Sequence, residues 1–147
     1  MPDTVALIRT VVATLALVTI SAAPAPVFVD VSVEGQRSAR GLMRACLTRD
    51  PAHFPGCEDD PAAISASVSA GDGKLRLGPV AQGVWALALF HDENGNGKLD
   101  TVLGVPKEGF AFSRNPPLTF GPPKFERASL TVGERNVEAT VKLRYLL

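Results

Sequence analysis

Residues 91–104 read HDENGNGKLDTVLG, and their spacing points to oxygen ligation. Asp92, Asn94 and Asn96 stand at positions 1, 3 and 5 of an acidic loop, with Gly97 at position 6. Calcium takes six to eight hard oxygen ligands at about 2.3–2.6 Å, and side chains on alternate residues of a tight loop can converge on one point. The glycine permits the turn that would bring the carbonyl of Lys98 inward at position 7, and Asp100 falls at position 9. Position 12 is Leu103 rather than a bidentate glutamate, and no helical pattern flanks the loop, so this is not an EF-hand. The closing carboxylate must come from elsewhere, and Glu108 is the nearest one downstream. The expected metal set is Asp92, Asn94, Asn96, Lys98, Asp100 and Glu108, with calcium as the cofactor. Its low ligand charge predicts weak binding, about 10⁻⁴–10⁻³ M.

The same residues suit a metal-free reading. Asn94-Gly95 and Asn96-Gly97 are turn dipeptides that supply positive φ at little cost, and an Asp ahead of such a turn caps it through its own side chain. A second feature, Val105 to Arg127, concentrates Pro and Phe. Phe110, Phe112, Phe120 and Phe125 either line an apolar surface for a glycan, peptide or small molecule, or tuck over one end of the domain as a cover. Catalysis finds little support. The two histidines are His53 and His91, and no Gly-x-Ser-x-Gly elbow, His-Glu-x-x-His or phosphate-binding glycine loop occurs. His91 and Asp92 are neighbours on a strand pattern and so face opposite ways, which makes them a poor acid/base pair.

The elements that must position these residues read as strands. Val27, Val29, Val31 and Val33 alternate with polar residues, as do Val137, Ala139, Val141, Leu143 and Tyr145. Gly41 to Leu47 carries a second apolar run, Ile64 to Ser69 and Lys74 to Leu77 are further short candidates, and Phe125 to Val132 is a weaker one. Val84 to Phe90 is apolar on both faces, as expected of a central strand. About seven or eight short strands with Gly/Pro turns predict an all-β domain, a single antiparallel β-sandwich over residues 24–147. The 147 residues fit one domain, and Lys+Arg 15 against Asp+Glu 15 argues against a nucleic-acid partner, which needs a cationic surplus.

Residues 1–23 read as a secretory signal, with Arg9, an apolar run from Val11 to Ile20, and small residues at Ser21, Ala22 and Ala23. The run is too short to span a bilayer, so no membrane span is expected after cleavage. Export gives meaning to Cys46 and Cys57, the only two cysteines, whose pairing an oxidising compartment favours.

GVWALALFHDENGNGKLDTVLGVPKEGFAFS, followed by FGPPKFERASLTV, resembles the bacterial domain of unknown function 2141 family. Its members carry a strand, then HDENGNGKLD, then G-x-PKEG-x-x-FS, then FGPP-x-F. The likeness is close over residues 83–132 and by pattern elsewhere. It implies a secreted or periplasmic protein with an immunoglobulin- or transthyretin-like sandwich, and it implies no activity. More loosely, the loop is similar to the calcium loops of B-type repeats in staphylococcal surface adhesins, which carry a carboxylate at the point where this chain has Leu103.

These readings converge on an exported, monomeric, non-enzymatic binding or structural module of the cell envelope, with calcium in the 92–100 loop and an envelope partner or small ligand. The alternative is a metal-free carrier of a small ligand, glycan or peptide that uses the Phe-rich segment 105–127.

Overall fold

A computed structural model of the protein describes residues 22–147. The expected signal lies outside that span except for Ala22 and Ala23. Among the described residues no helix is long and apolar enough to cross a membrane.

The alternating segments form strands where their patterns place them. β1 (Val29–Glu34), β2 (Leu42–Thr48), β3 (Ile64–Ser69), β4 (Lys74–Leu77) and β5 (Gly83–Asp92) come first. A short hairpin of β6 (Thr101–Val102) and β7 (Val105–Pro106), then β8 (Phe110–Phe112), a single helical turn α1 (Phe125–Ala128), β9 (Ser129–Val132) and β10 (Val137–Lys142) complete the chain. The all-β expectation is met. Phe125–Ala128 departs from the strand expected there. Its Phe125 and Ala128, three apart on a helical turn, share one buried face, which period-two alternation would have split.

The strands make a three-stranded sheet in the order β10-β1-β4 and a five-stranded sheet in the order β3-β2-β5-β8, with β9 pairing the first half of β5. One pairing is not antiparallel: β1 and β10 run parallel, Val29 opposite Val137 through Glu34 opposite Lys142. The sheets share one core. Val29, Val31 and Val33 of β1, Leu75 and Leu77 of β4 and Val141 of β10 meet Met43 and Leu47 of β2 and Trp85, Leu87 and Leu89 of β5. The chain after β10 links the two sheets, because Phe110 and Arg144 exchange backbone hydrogen bonds at 3.0 and 2.9 Å.

β5 buries its other face as well. Ala86 packs with Phe110, Phe112, Phe125 and Ala128 in a second cluster, with Phe54, Ala88, Phe90 and Leu118 against it. Phe54 reaches the cluster from the loop after β2, with ring centroids 5.8 Å from Phe112 and 6.0 Å, edge-on, from Phe125. Such contacts add about 0.5–1.5 kcal/mol each beyond area burial. Ser113 fastens this layer. It is fully buried, its hydroxyl accepts the Leu87 N–H at 3.0 Å and donates to the Ala128 carbonyl, and so ties β5 to the end of β8 and to α1.

Cys46 and Cys57 form the expected disulfide, with Cα atoms 6.4 Å apart. Just beyond the loop it closes, Asp60 accepts the Thr48 hydroxyl on Oδ2 at 2.5 Å and the Ala62 N–H on Oδ1 at 2.9 Å. The Cys46→Ser/Cys57→Ser variant is expected to lose about 2–3 kcal/mol through loop-closure entropy, read as a lower urea midpoint than that of the oxidised protein.

Candidate functional site

Two structures stand at the far end and outer face of β5: the acidic loop and a groove. The loop begins at Asp92, the last residue of β5, whose side chain is fully buried. Arg44 of β2 donates from Nε to Asp92 Oδ2 at 2.5 Å, the Gly97 N–H donates to the same oxygen at 2.9 Å, and the Asn96 N–H donates to Oδ1 at 3.0 Å. Burial alone would raise the Asp92 pKa, but Arg44 and the two N–H groups outweigh it and hold the carboxyl below its usual range.

The remaining loop oxygens are likewise taken by N–H donors. Asn94 Oδ1 accepts from the Asn96 N–H at 3.1 Å, and Asn96 Oδ1 accepts from the Lys98 N–H at 2.9 Å. Asp100 receives the side-chain amides of Asn94 at 2.6 Å and Asn96 at 2.9 Å. Glu108, also buried, spans the loop, with Oε1 on the Glu93 N–H at 2.9 Å and Oε2 on the Asp100 N–H at 3.0 Å. Lys98 is exposed.

This corrects the calcium expectation. Among the described residues no group of three or more His, Cys, Asp or Glu side chains is placed to hold a metal ion. The spacing of Asp92, Asn94, Asn96, Asp100 and Glu108 is satisfied instead by backbone and amide hydrogens, as an Asx-rich turn clasped by a glutamate. No buried side-chain nitrogen or oxygen among the described residues lacks a partner.

Residues outside the motif hold the loop in place. Arg37 reaches Glu93 Oε2 with Nη2 at 2.6 Å and donates from Nη1 to the Leu147 carbonyl at 2.8 Å, while its guanidinium lies 4.4 Å from the Tyr145 ring centroid. The Arg37 bond, aided by Ser38 against the cost of burial, lowers the Glu93 pKa to about 2. His91 is buried with Nε2 2.7 Å from the Arg40 carbonyl and Nδ1 2.7 Å from the Tyr145 hydroxyl. A carbonyl can only accept, so Nε2 carries a proton and donates to it, while Nδ1 pairs with the tyrosine hydroxyl. This is a structural latch and not an acid/base pair with Asp92. Two glycines allow the close packing. A Cβ on Gly41, at φ +73°, would strike the Asp92 carbonyl oxygen, and one on Gly109 would enter the Tyr145 ring.

The groove lies over the outer face of the five-stranded sheet, is open to solvent along one side, and has a volume of about 1370 Å³. Its floor grades from small to large side chains across the strands. One row runs Ser65, Cys46, Ala88, Phe112, and the next runs Ser67, Arg44, Phe90, Phe110. Serine, cysteine and alanine leave depth over β3 and β2, and the phenylalanines form an apolar step. Pro55 and Gly56 of the disulfide loop, Leu99 at the end of the acidic loop, Val105 of the β6–β7 hairpin, and Leu118 and Pro122 of the segment after β8 stand around it. Of the four phenylalanines expected at a ligand surface, Phe110 and Phe112 line the groove, Phe125 is buried in the cover over β5 and does not line it, and Phe120 projects fully into solvent.

A bacterial family described as "Uncharacterized protein conserved in bacteria" has a sequence model that matches residues 31–140. The chain belongs to this family, DUF2141. The matched span holds the whole acidic loop and every groove-lining residue except Leu146, so these are parts of the DUF2141 domain and not additions to it. No curated protein and no solved structure gives a match.

Sequence reasoning passed over Arg44 and Arg37. Arg44 was open to detection, as the one charge in the apolar run LMRACLT at a position that alternation puts on the outer face. Arg37 was not, since its partners lie 56 and 110 residues away.

Because N–H donors occupy the loop oxygens, neither chelator nor millimolar calcium should move the melting temperature, as differential scanning fluorimetry would report. Acid should act on the same region. Glu93 is held ionised in the fold, so its stabilisation is complete above its unfolded pKa near 4.5 and is lost as pH falls toward 2. Glu93→Gln should flatten that part of the stability–pH curve by about 1–2 kcal/mol once solvent screening at Arg37 is allowed for, as measured by urea titration at pH 7, 4 and 2.5.

Proposed function

We propose that this protein is an exported, non-enzymatic binding module that takes an apolar small molecule into the groove on the outer face of its five-stranded sheet. The observation that carries the reading is the groove, with a volume of about 1370 Å³, an apolar step at Phe90, Phe110 and Phe112, and walls drawn from three separate loops. Ligand sites are concave, mostly apolar and set on a rigid scaffold, and a face floored by strand residues meets that description. The signal-like residues 1–23 and the disulfide support a periplasmic or secreted setting. The histidines support no catalytic role: His91 is latched between Tyr145 and a carbonyl, and His53 pairs with Asp50 at 3.0 Å in the disulfide loop.

The test is titration of the protein with N-phenyl-1-naphthylamine, an uncharged dye that brightens in apolar sites. Saturable brightening is expected. Ala88→Trp, which fills the floor, should weaken it at least about tenfold while the melting temperature holds within a few degrees. Ser67→Trp, on the exposed edge strand β3, provides a second filling variant if the first misfolds. A native protein that never brightens the dye, or filled variants that bind it as well as the parent, would sink the reading.

A further inference from the structure

We infer that the ligand carries an anionic head group, a carboxylate or sulfonate on an apolar body, and that Arg44 holds it. This deepens the groove reading above and rests on it. Arg44 stands in the floor, between Ser67 on β3 and Phe90 on β5. Its side chain keeps 31% of its exposure and uses only Nε on the buried Asp92. Among the described residues nothing accepts from Nη1 or Nη2, so the outer edge of the guanidinium keeps its N–H donors for an incoming group.

Asp92 does not use up this cation. Its two oxygens also accept from the Gly97 and Asn96 N–H groups, which share its charge and anchor the arginine from behind. The Nε bond tethers the guanidinium to a carboxylate that is itself held by two backbone N–H groups, and a planar fork of donors matches an oxyanion in two-point contact. The same end of the groove holds the start of the hairpin. A Cβ on Gly97 would sit 3.9 Å from Arg44 Nη2, and the adjacent Lys98 also lines the groove. The carboxylate among the lining residues is Glu58, just after Cys57. The apolar step of Phe90 and Phe110 begins in the same row as Arg44, so a head group on the arginine would lay its body over those rings.

The inference can be separated from the groove reading with two dyes that share one aromatic amine skeleton. 8-Anilinonaphthalene-1-sulfonate carries a sulfonate and N-phenyl-1-naphthylamine carries none. Arg44→Gln should weaken the sulfonate dye at least about tenfold and leave the neutral dye within about twofold. Equal losses for both dyes, or no loss for the sulfonate, would overturn the role of Arg44 and leave the groove standing. Failure of the parent protein to bind either dye would instead remove the groove reading and this inference with it. If Arg44→Gln loses its near-UV circular dichroism, Arg44→Lys takes its place, keeping a cation against Asp92 without the planar fork. It should cost the sulfonate dye several-fold and spare the neutral one, and equal binding of both dyes by that variant would count against the inference.

Discussion

The structure depends on one constraint: β5 is apolar on both faces and must be covered on both. Trp85, Leu87 and Leu89 face the three-stranded sheet and account for the shared core. Ala86, Ala88 and Phe90 face the other way, where among the described residues loops and the short β6–β7 hairpin stand instead of a broad sheet. Leaving that face in water would expose a contiguous apolar patch in the middle of the largest sheet. The long Phe- and Pro-rich segment after β8, the turn of helix at Phe125–Ala128 and Phe54 from the disulfide loop cover it instead. A cover assembled from loops is incomplete where the strand side chains are small. The groove over Cys46, Ser65, Ser67 and Ala88 is what remains.

The acidic loop follows from the same strand. β5 ends by carrying a carboxylate into a buried position, and a buried carboxylate needs donors on every side. Arg44 supplies one, and the tight Asn-Gly turns bring two backbone N–H groups back onto Asp92. Glu108 repeats the arrangement by spanning the two ends of the loop. An oxygen-rich sequence of this spacing can serve a cation or a set of N–H donors, and here the donors are close at hand. Arg37 then locks the outer edge by joining Glu93, the Lys107 carbonyl and the C-terminal Leu147, elements remote in sequence that meet because β10 runs beside β1.

These features connect the loop to the groove. Arg44 is at once the partner of Asp92 and a floor residue, so the loop fixes the orientation of the only floor side chain with a full charge. The DUF2141 match covers loop and groove together, which fits parts that work as one unit.

The sequence by itself determined the long alternating strands, the disulfide partners and the family, but not the short strands between Thr101 and Phe112 or the helical turn at Phe125–Ala128. Period-two alternation reports which residues face a core, two lone cysteines have a single pairing, and several adjacent motifs agree with one family. It also marked β5 as the central strand, since a run apolar on both faces leaves few other places for it. Only the tertiary structure decided what the acidic loop does and where the phenylalanines go. Whether oxygens meet an ion or a hydrogen-bond donor depends on Arg44, which lies 48 residues from Asp92, and on N–H groups whose directions no spacing encodes. Whether a phenylalanine is cover, groove wall or solvent-exposed depends on which loop reaches which face. Phe125, Phe110 and Phe120 have one side chain and three different surroundings. Local patterning fixes a residue's face on its own strand, and long-range contacts fix what stands opposite that face.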